Sequence, residues 1–146
     1  MVIQAYHGSR NAPFVDFDMN KVGTGVVGNK TGLLFFTTSL ENARFFTDYG
    51  GHIALWQVML ENPLIVEGRV PSYVMQHYDI LDMRDGHCVG YKYDGIVCLD
   101  CYDGDRYSDV VAIWDPEQAI RSRVVLEMDD CGWDKPNTLL PMAFAP

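Results

Sequence analysis

The stretch "VGTGVVGNKTGLLFFTTS", Val22 to Ser39, decides how the chain folds. Gly23, Gly25 and Gly28 spell G-x-G-x-x-G, the pattern of a dinucleotide-binding turn. Such a turn must follow a buried strand and open a helix, because the pyrophosphate sits on the helix N-terminus. Here Asp16-Phe17-Asp18-Met19-Asn20-Lys21 precedes it, too polar for a buried parallel strand. Asn29 to Gly32 follows, and then the apolar run Leu33 to Phe36, short and aromatic enough to be a strand. The order is loop, glycines, strand. A doubly wound dinucleotide-binding sheet is therefore rejected, and Gly25 to Gly32 are expected to form a loop.

Outward from that stretch, the chain predicts short strands with few helices. Val2 to Tyr6 is expected as a first strand, ending at His7-Gly8-Ser9, and Leu33 to Thr37 as a second. Thr38 with Glu41 makes a capping box for a helix carrying Ala43, Phe45 and Phe46 and stopping near Gly50-Gly51. His52 to Leu60 alternates as a strand, Asn62-Pro63 breaks it, and Leu64-Ile65-Val66 resumes extended structure. A helix is expected over Ser72 to Met83. Strands follow at Gly95 to Leu99, Asp109 to Trp114 and Arg121 to Met128. The fold class is α+β with mainly antiparallel pairing. Residues 1–128 form one domain, and 129–146 are a surface tail of the same domain.

Composition bounds the function. The chain has 146 residues, enough for one domain with a real core, and 48% are hydrophobic. Its 11 Lys+Arg against 20 Asp+Glu give a formal net charge of −9. That balance repels phosphate backbones and argues against direct nucleic-acid binding, while suiting a basic protein partner. No apolar run reaches the roughly 20 residues of a membrane span, and the start lacks a signal-peptide pattern. A cytoplasmic protein is expected. Cys98-Leu99-Asp100-Cys101 is a C-x-x-C, but no second pair completes a zinc ribbon. No metal is expected, and the four cysteines are expected as reduced thiols.

Three pieces stand together: Tyr6-His7-Gly8-Ser9, then Gly32-Leu-Leu-Phe-Phe-Thr37 before a helix bearing Ala43 and Phe46, then Tyr93-Asp94-Gly95-Ile96-Val97 followed by Val110-Val-Ala-Ile-Trp-Asp-Pro-Glu-Gln118. In this order they resemble the ADP-ribosyltransferase superfamily, its branch with His, Tyr and an acid as motif residues. Members of that branch are similar to "HG(T/S)…G-x-YFT…A-x-x-Y…YDGI…FDPEQI". Asn62-Pro63-Leu64 is similar to phage and bacterial members, and the HGS and LLFFTTS pieces resemble small phage anti-CRISPR ADP-ribosyltransferases. The resemblance spans roughly Ala5 to Val125. It implies two mainly antiparallel sheets packed as a split sandwich with flanking helices.

The resemblance also implies roles. NAD is the co-substrate, losing nicotinamide through an oxocarbenium-like transition state that needs an oriented donor and a stabilising carboxylate. His7 would bond the adenosine ribose, and the Gly8 backbone would hold the nicotinamide amide. Phe35 and Phe46 would stand where the family has the two tyrosines that sandwich the nicotinamide ring, with Thr37 lining the pocket. Ser9 would bond the nicotinamide or merely start a turn. Against these stand plainer roles: a satisfied strand-end histidine, and two core aromatics. The family's acid falls at Val110, which is no acid. Asp100 is the favoured carboxylate and Asp109 the second, with Asp103 and Asp105 nearby; each could equally be a solvated loop residue. The expected activity is mono-ADP-ribosylation of a protein acceptor, a host protein with a basic surface. An NAD glycohydrolase and an inactive NAD-fold binding module are the alternatives.

Overall fold

The computed structural model describes residues 1–10, 14, 17, 33–47, 51–103, 106–128 and 134–135. In chain order these form β1 (Val2–Ser9), β2 (Leu34–Thr37), α1 (Leu40–Phe45), β3 (His52–Met59), β4 (Pro63–Glu67), α2 (Pro71–His77), β5 (Leu81–Arg84), β6 (His87–Tyr91), β7 (Gly95–Asp103), β8 (Arg106–Ile113), β9 (Ala119–Met128) and β10 (Asp134–Lys135). The class is α+β, mostly strand. Eight strands run in the order β10-β9-β3-β1-β2-β8-β7-β4, and β5-β6 form a separate hairpin. Every pairing is antiparallel except β4 with β7.

The eight-strand order is pinched at one place. β1 pairs with β3 along its whole length, from Val2↔Met59 to Ser9↔His52, yet meets β2 only at Tyr6↔Thr37. At that seam the sheet bends back on itself. β3 and β7 are four strand spacings apart in the order, about 19 Å if the sheet were flat. Nevertheless the Asp94 carboxylate, just before β7, accepts from the backbone N–H of Glu61 at 2.6 Å and of Asn62 at 3.0 Å, just after β3. A methyl on Gly95 would lie 2.6 Å from Leu60 Cδ2 and 2.9 Å from the Ala112 carbonyl. Asn62-Pro63 and Tyr93-Asp94-Gly95 thus staple one arm of the sheet to the other. Two separate sheets were the expectation; the observed ladder is continuous, joined by one rung.

Alternation along the strands builds two cores. Ala5, Ala54, Trp56 and Val58 from the β1–β3 arm face Leu34, Phe36, Val97, Val111 and Ile113 from the other arm, between the two. On the outer face of the second arm, Leu33, Val66, Ile96, Cys98, Cys101, Val110 and Ala112 pack with Val74 of α2. Cys98 and Cys101 are therefore core residues. Burial pushes their thiols up to about 12 and about 11, so both stay protonated at neutral pH.

Several boundaries differ from expectation, each for a local reason. The helix expected over Ser72 to Met83 stops at His77, and Leu81–Arg84 is a strand. Asp85 and Gly86, with φ of 51° and 79°, make the tight turn that reverses the chain into β6. An Asp-Gly pair between alternating residues is a hairpin signal that outweighs helix propensity here. The cap of α1 is Ser39, not Thr38: Ser39 Oγ accepts from the Asn42 N–H. α1 ends at Phe45, with Phe46 as its C-cap, instead of running on towards Gly50-Gly51. Gly25–Gly32, Asp105 and most of the tail lie outside the described residues; β10 pairs with Met128 and Glu127. Among the described residues no helix is long and apolar enough to cross a membrane.

Candidate functional site

The seam between β1 and β2 is bridged by a side chain. His7 Nδ1 lies 2.7 Å from the Phe35 carbonyl oxygen. A carbonyl only accepts, so Nδ1 carries the proton and Nε2 is left as an acceptor. The ring sits among Phe17, Phe36 and Phe14, with centroids at 4.9, 5.5 and 6.5 Å. Burial in that apolar setting lowers the His7 pKa to about 4, outweighing the bond to Phe35, which raises it; nearby His52 lowers it further. His7 is neutral at pH 7.

The neighbouring Gly8 turns its backbone edge towards this seam. Met1 and Leu60 exchange both ladder bonds, Met1 N–H to Leu60 O and Leu60 N–H to Met1 O. The β1–β3 register then runs unbroken to Ser9↔His52. In an antiparallel pair the bonded residues alternate, so odd residues of β1 bond to β3 and even ones face away. Gly8 is even, and it lies past Tyr6↔Thr37, the rung shared with β2. Its N–H and C=O point to the β2 side, beyond the last rung that β1 and β2 share. The glycine itself answers a different constraint: a Cβ there would meet the Ala43 carbonyl oxygen of α1 at 2.0 Å. Close approach of the helix demands glycine, whatever binds at the seam.

The aromatic residues divide between faces. Phe36 and the His7 ring share the inter-arm core, whereas Phe35 packs half-buried against the outer core. Phe46 is half-buried at the end of α1 and touches Phe45 edge-on at 5.2 Å. The structure brings the Phe35 carbonyl to His7 but sets the Phe35 and His7 rings on opposite faces of the sheet. Thr37 is buried and shares a 2.9 Å hydroxyl contact with Ser108. Ser9 is buried at the last rung of β1, opposite His52.

The two candidate acidic residues meet through the backbone of one and the side chain of the other. The β7–β8 register jumps between Cys98↔Val110 and Cys101↔Ser108, so Leu99 and Asp100 together oppose Asp109. This is a bulge, on β7. Asp100 occupies the left-handed region at φ 49°, a conformation that Asp tolerates better than most residues. Its N–H donates to Asp109 Oδ1 at 2.9 Å. Asp109 is tied to β2 in turn: Thr38 N–H donates to its carbonyl at 3.0 Å, and its own N–H donates to Thr38 Oγ1 at 3.1 Å. Asp100 is exposed and Asp109 half-buried. Asp103, half-buried near the end of the hairpin, has its carboxyl pushed up by burial.

One participant escaped the sequence. Asn42 is fully buried in the first turn of α1. Its Nδ2 donates to Ser108 Oγ at 2.9 Å and to the Arg106 carbonyl at 3.0 Å. The only available signal was an asparagine beside Ala43 on the face of a short helix that must be buried. Among the described residues no group of three or more His, Cys, Asp or Glu could hold a metal ion.

No protein-family model matches the chain, and no curated protein matches it.

Proposed function

We propose that the protein binds NAD at the β1–β2 seam and transfers ADP-ribose to a protein acceptor. In this reading the bent sheet is the split sandwich of the ADP-ribosyltransferase fold. The observation that carries the proposal is the bridge at the seam. Phe35 O accepts from His7 Nδ1 at 2.7 Å, beside the outward-turned backbone edge of Gly8. A primary amide such as that of nicotinamide has one donor and one acceptor group, and an edge offering N–H and C=O of one residue pairs with it as a further strand would. The His7 Nε2 acceptor, fixed by the Nδ1 bond, suits a ribose hydroxyl. Phe35 and Phe46 offer ring faces from β2 and the end of α1, which need no phenol to stack.

The bulge supplies negative charge. As the glycosidic bond to nicotinamide breaks, positive charge grows on the ribose, and a fixed carboxylate stabilises that state more than the bound substrate. Asp100 is the favoured carboxylate, with Asp109 accepting its N–H and fixing its direction; Asp109 is the second choice. The net charge of −9 fits an acceptor with a basic surface.

Incubation with labelled NAD and a cell lysate tests this. Label on a protein is the expected result. Free ADP-ribose and nicotinamide without protein label would make the protein an NAD glycohydrolase. Tight NAD binding with no turnover would make it a binding module. No NAD binding by the folded protein would end the proposal.

A further inference from the structure

A buried asparagine is costly unless its amide is satisfied, and a helix gains nothing from it. In α1 a leucine of similar size would bury no polar group. Asn42 instead reaches out of the helix to the opening residues of β8. Nδ2 donates to the Arg106 carbonyl at 3.0 Å and to Ser108 Oγ at 2.9 Å. Ser108 Oγ lies 2.9 Å from Thr37 Oγ1, which accepts from the Ser39 N–H at 3.1 Å. Ser39 Oγ accepts from the Asn42 N–H at 3.1 Å, closing the circuit. The end of β2, the first turn of α1 and the start of β8 are thereby locked together by side chains. Asp109 is the next residue along β8. Ser108 and Asp109 face opposite sides of the strand, so the circuit grips one face while the Asp109 carboxylate leaves from the other and takes the Asp100 N–H.

We infer that Asn42 is a positioning residue: through Ser108 it fixes the start of β8 and so sets where the Asp109 carboxylate stands in the Asp100–Asp109 bulge. Its catalytic consequence rests on the NAD reading; its structural core does not. The experiment reads both. Amide hydrogen exchange at Asp100 reports the bond to Asp109 Oδ1 directly. In Asn42→Ala, exchange at Asp100 should quicken at least about tenfold while the Trp56 amide, in the middle of β3, keeps its rate. Unchanged exchange at Asp100 overturns the inference. So does a uniform rise at both amides, which would make Asn42 a packing residue only. If Asn42→Ala does not fold, Ser108→Ala and Ser108→Thr carry the same question. Ser108→Ala should quicken Asp100 exchange, and Ser108→Thr, which keeps the hydroxyl, should not. Equal rates in the two would overturn the inference. In NAD-cleavage assays, Asn42→Ala should lower kcat at least about tenfold with KM for NAD within about twofold. A wild type that cleaves no NAD defeats the NAD reading alone, because the exchange data still decide the role of Asn42.

Discussion

The backbone N–H of Asp100 donates to the side chain of Asp109 at 2.9 Å across a bulge in β7. Two acidic residues that stand nine positions apart in sequence, and that read there as alternatives, are therefore joined by a hydrogen bond from the backbone of one to the side chain of the other. The bulge is what sets Asp100 against Asp109, since Leu99 and Asp100 together face one residue of β8. A strand with one extra residue shifts the side-chain alternation on one side of it only.

Asp100→Asn should fold normally, because Asn is at ease at a φ of 49°. It should lower NAD turnover by about a hundredfold or more with little change in NAD affinity, the effect of losing one oriented electrostatic group. Asp109→Asn keeps an acceptor oxygen for the Asp100 N–H and should be milder. Steady-state kinetics on both variants decides the order; the reverse order assigns the ribose-facing role to Asp109.

Gly8→Ala should destabilise the protein by about 3 kcal/mol or more, towards the severe end of overpacking. The new methyl would stand 2.0 Å from a backbone carbonyl, which cannot rotate away. Thermal melts measure this with no ligand present. A variant as stable as wild type would mean that α1 does not sit on β1 as described.

Acid should act through His7. Its pKa is about 4 in the folded chain, against about 6.5 when unfolded. Between those values the unfolded chain takes up a proton that the folded one refuses. Stability from this source is intact above about pH 6.5 and falls as the pH drops to about 4, by at most about 3 kcal/mol. Denaturant midpoints of wild type and His7→Gln across this window should converge as the pH falls. Parallel curves would show that the His7 ring is solvated.

Phe35→Ala removes half-buried packing from the outer core and should cost about 2 kcal/mol, below the range for a fully buried ring. Phe35→Tyr should hold stability, and NAD affinity should be retained or raised, since the ring face persists. Calorimetry of both variants separates the roles: a large loss of stability in Phe35→Tyr would place the ring in a closed core.

The sequence carried the strands well, because alternation and the breakers Asn62-Pro63 and Asp115-Pro116 are local signals. It overran α2, where Ile80, Leu81 and Met83 look helical by spacing and only Asp85-Gly86 betrays the reversal. Motif order groups His7, Gly8 and Thr37, and in the fold they lie beside the Tyr6↔Thr37 rung. That Phe35 and His7 turn their rings to opposite faces follows from the seam, a long-range property no window of residues contains. Asn42 stayed hidden for the same reason: its partners lie 64 and 66 positions away. Asp94 and Gly95 drew attention as a motif, and what they do in the fold is join arms.

The course of the chain gives the single Tyr6↔Thr37 rung a further meaning. β1, β3 and β9 lie on one side of it, β2, β4, β7 and β8 on the other. The polypeptide changes sides on leaving β1, again after β2, again after β3, and once more between β8 and β9. The halves are laced together by the thread itself, in addition to the hydrogen bonds at Asp94 that join them. No continuous fragment holds one complete half without a strand of the other, so neither can be cut out cleanly and kept as a working piece. Such lacing also ties the earliest stable contacts to distant segments, which slows folding relative to helical proteins of similar size. Loss of either half exposes the inter-arm core of the other, and the molecule is expected to melt as a unit.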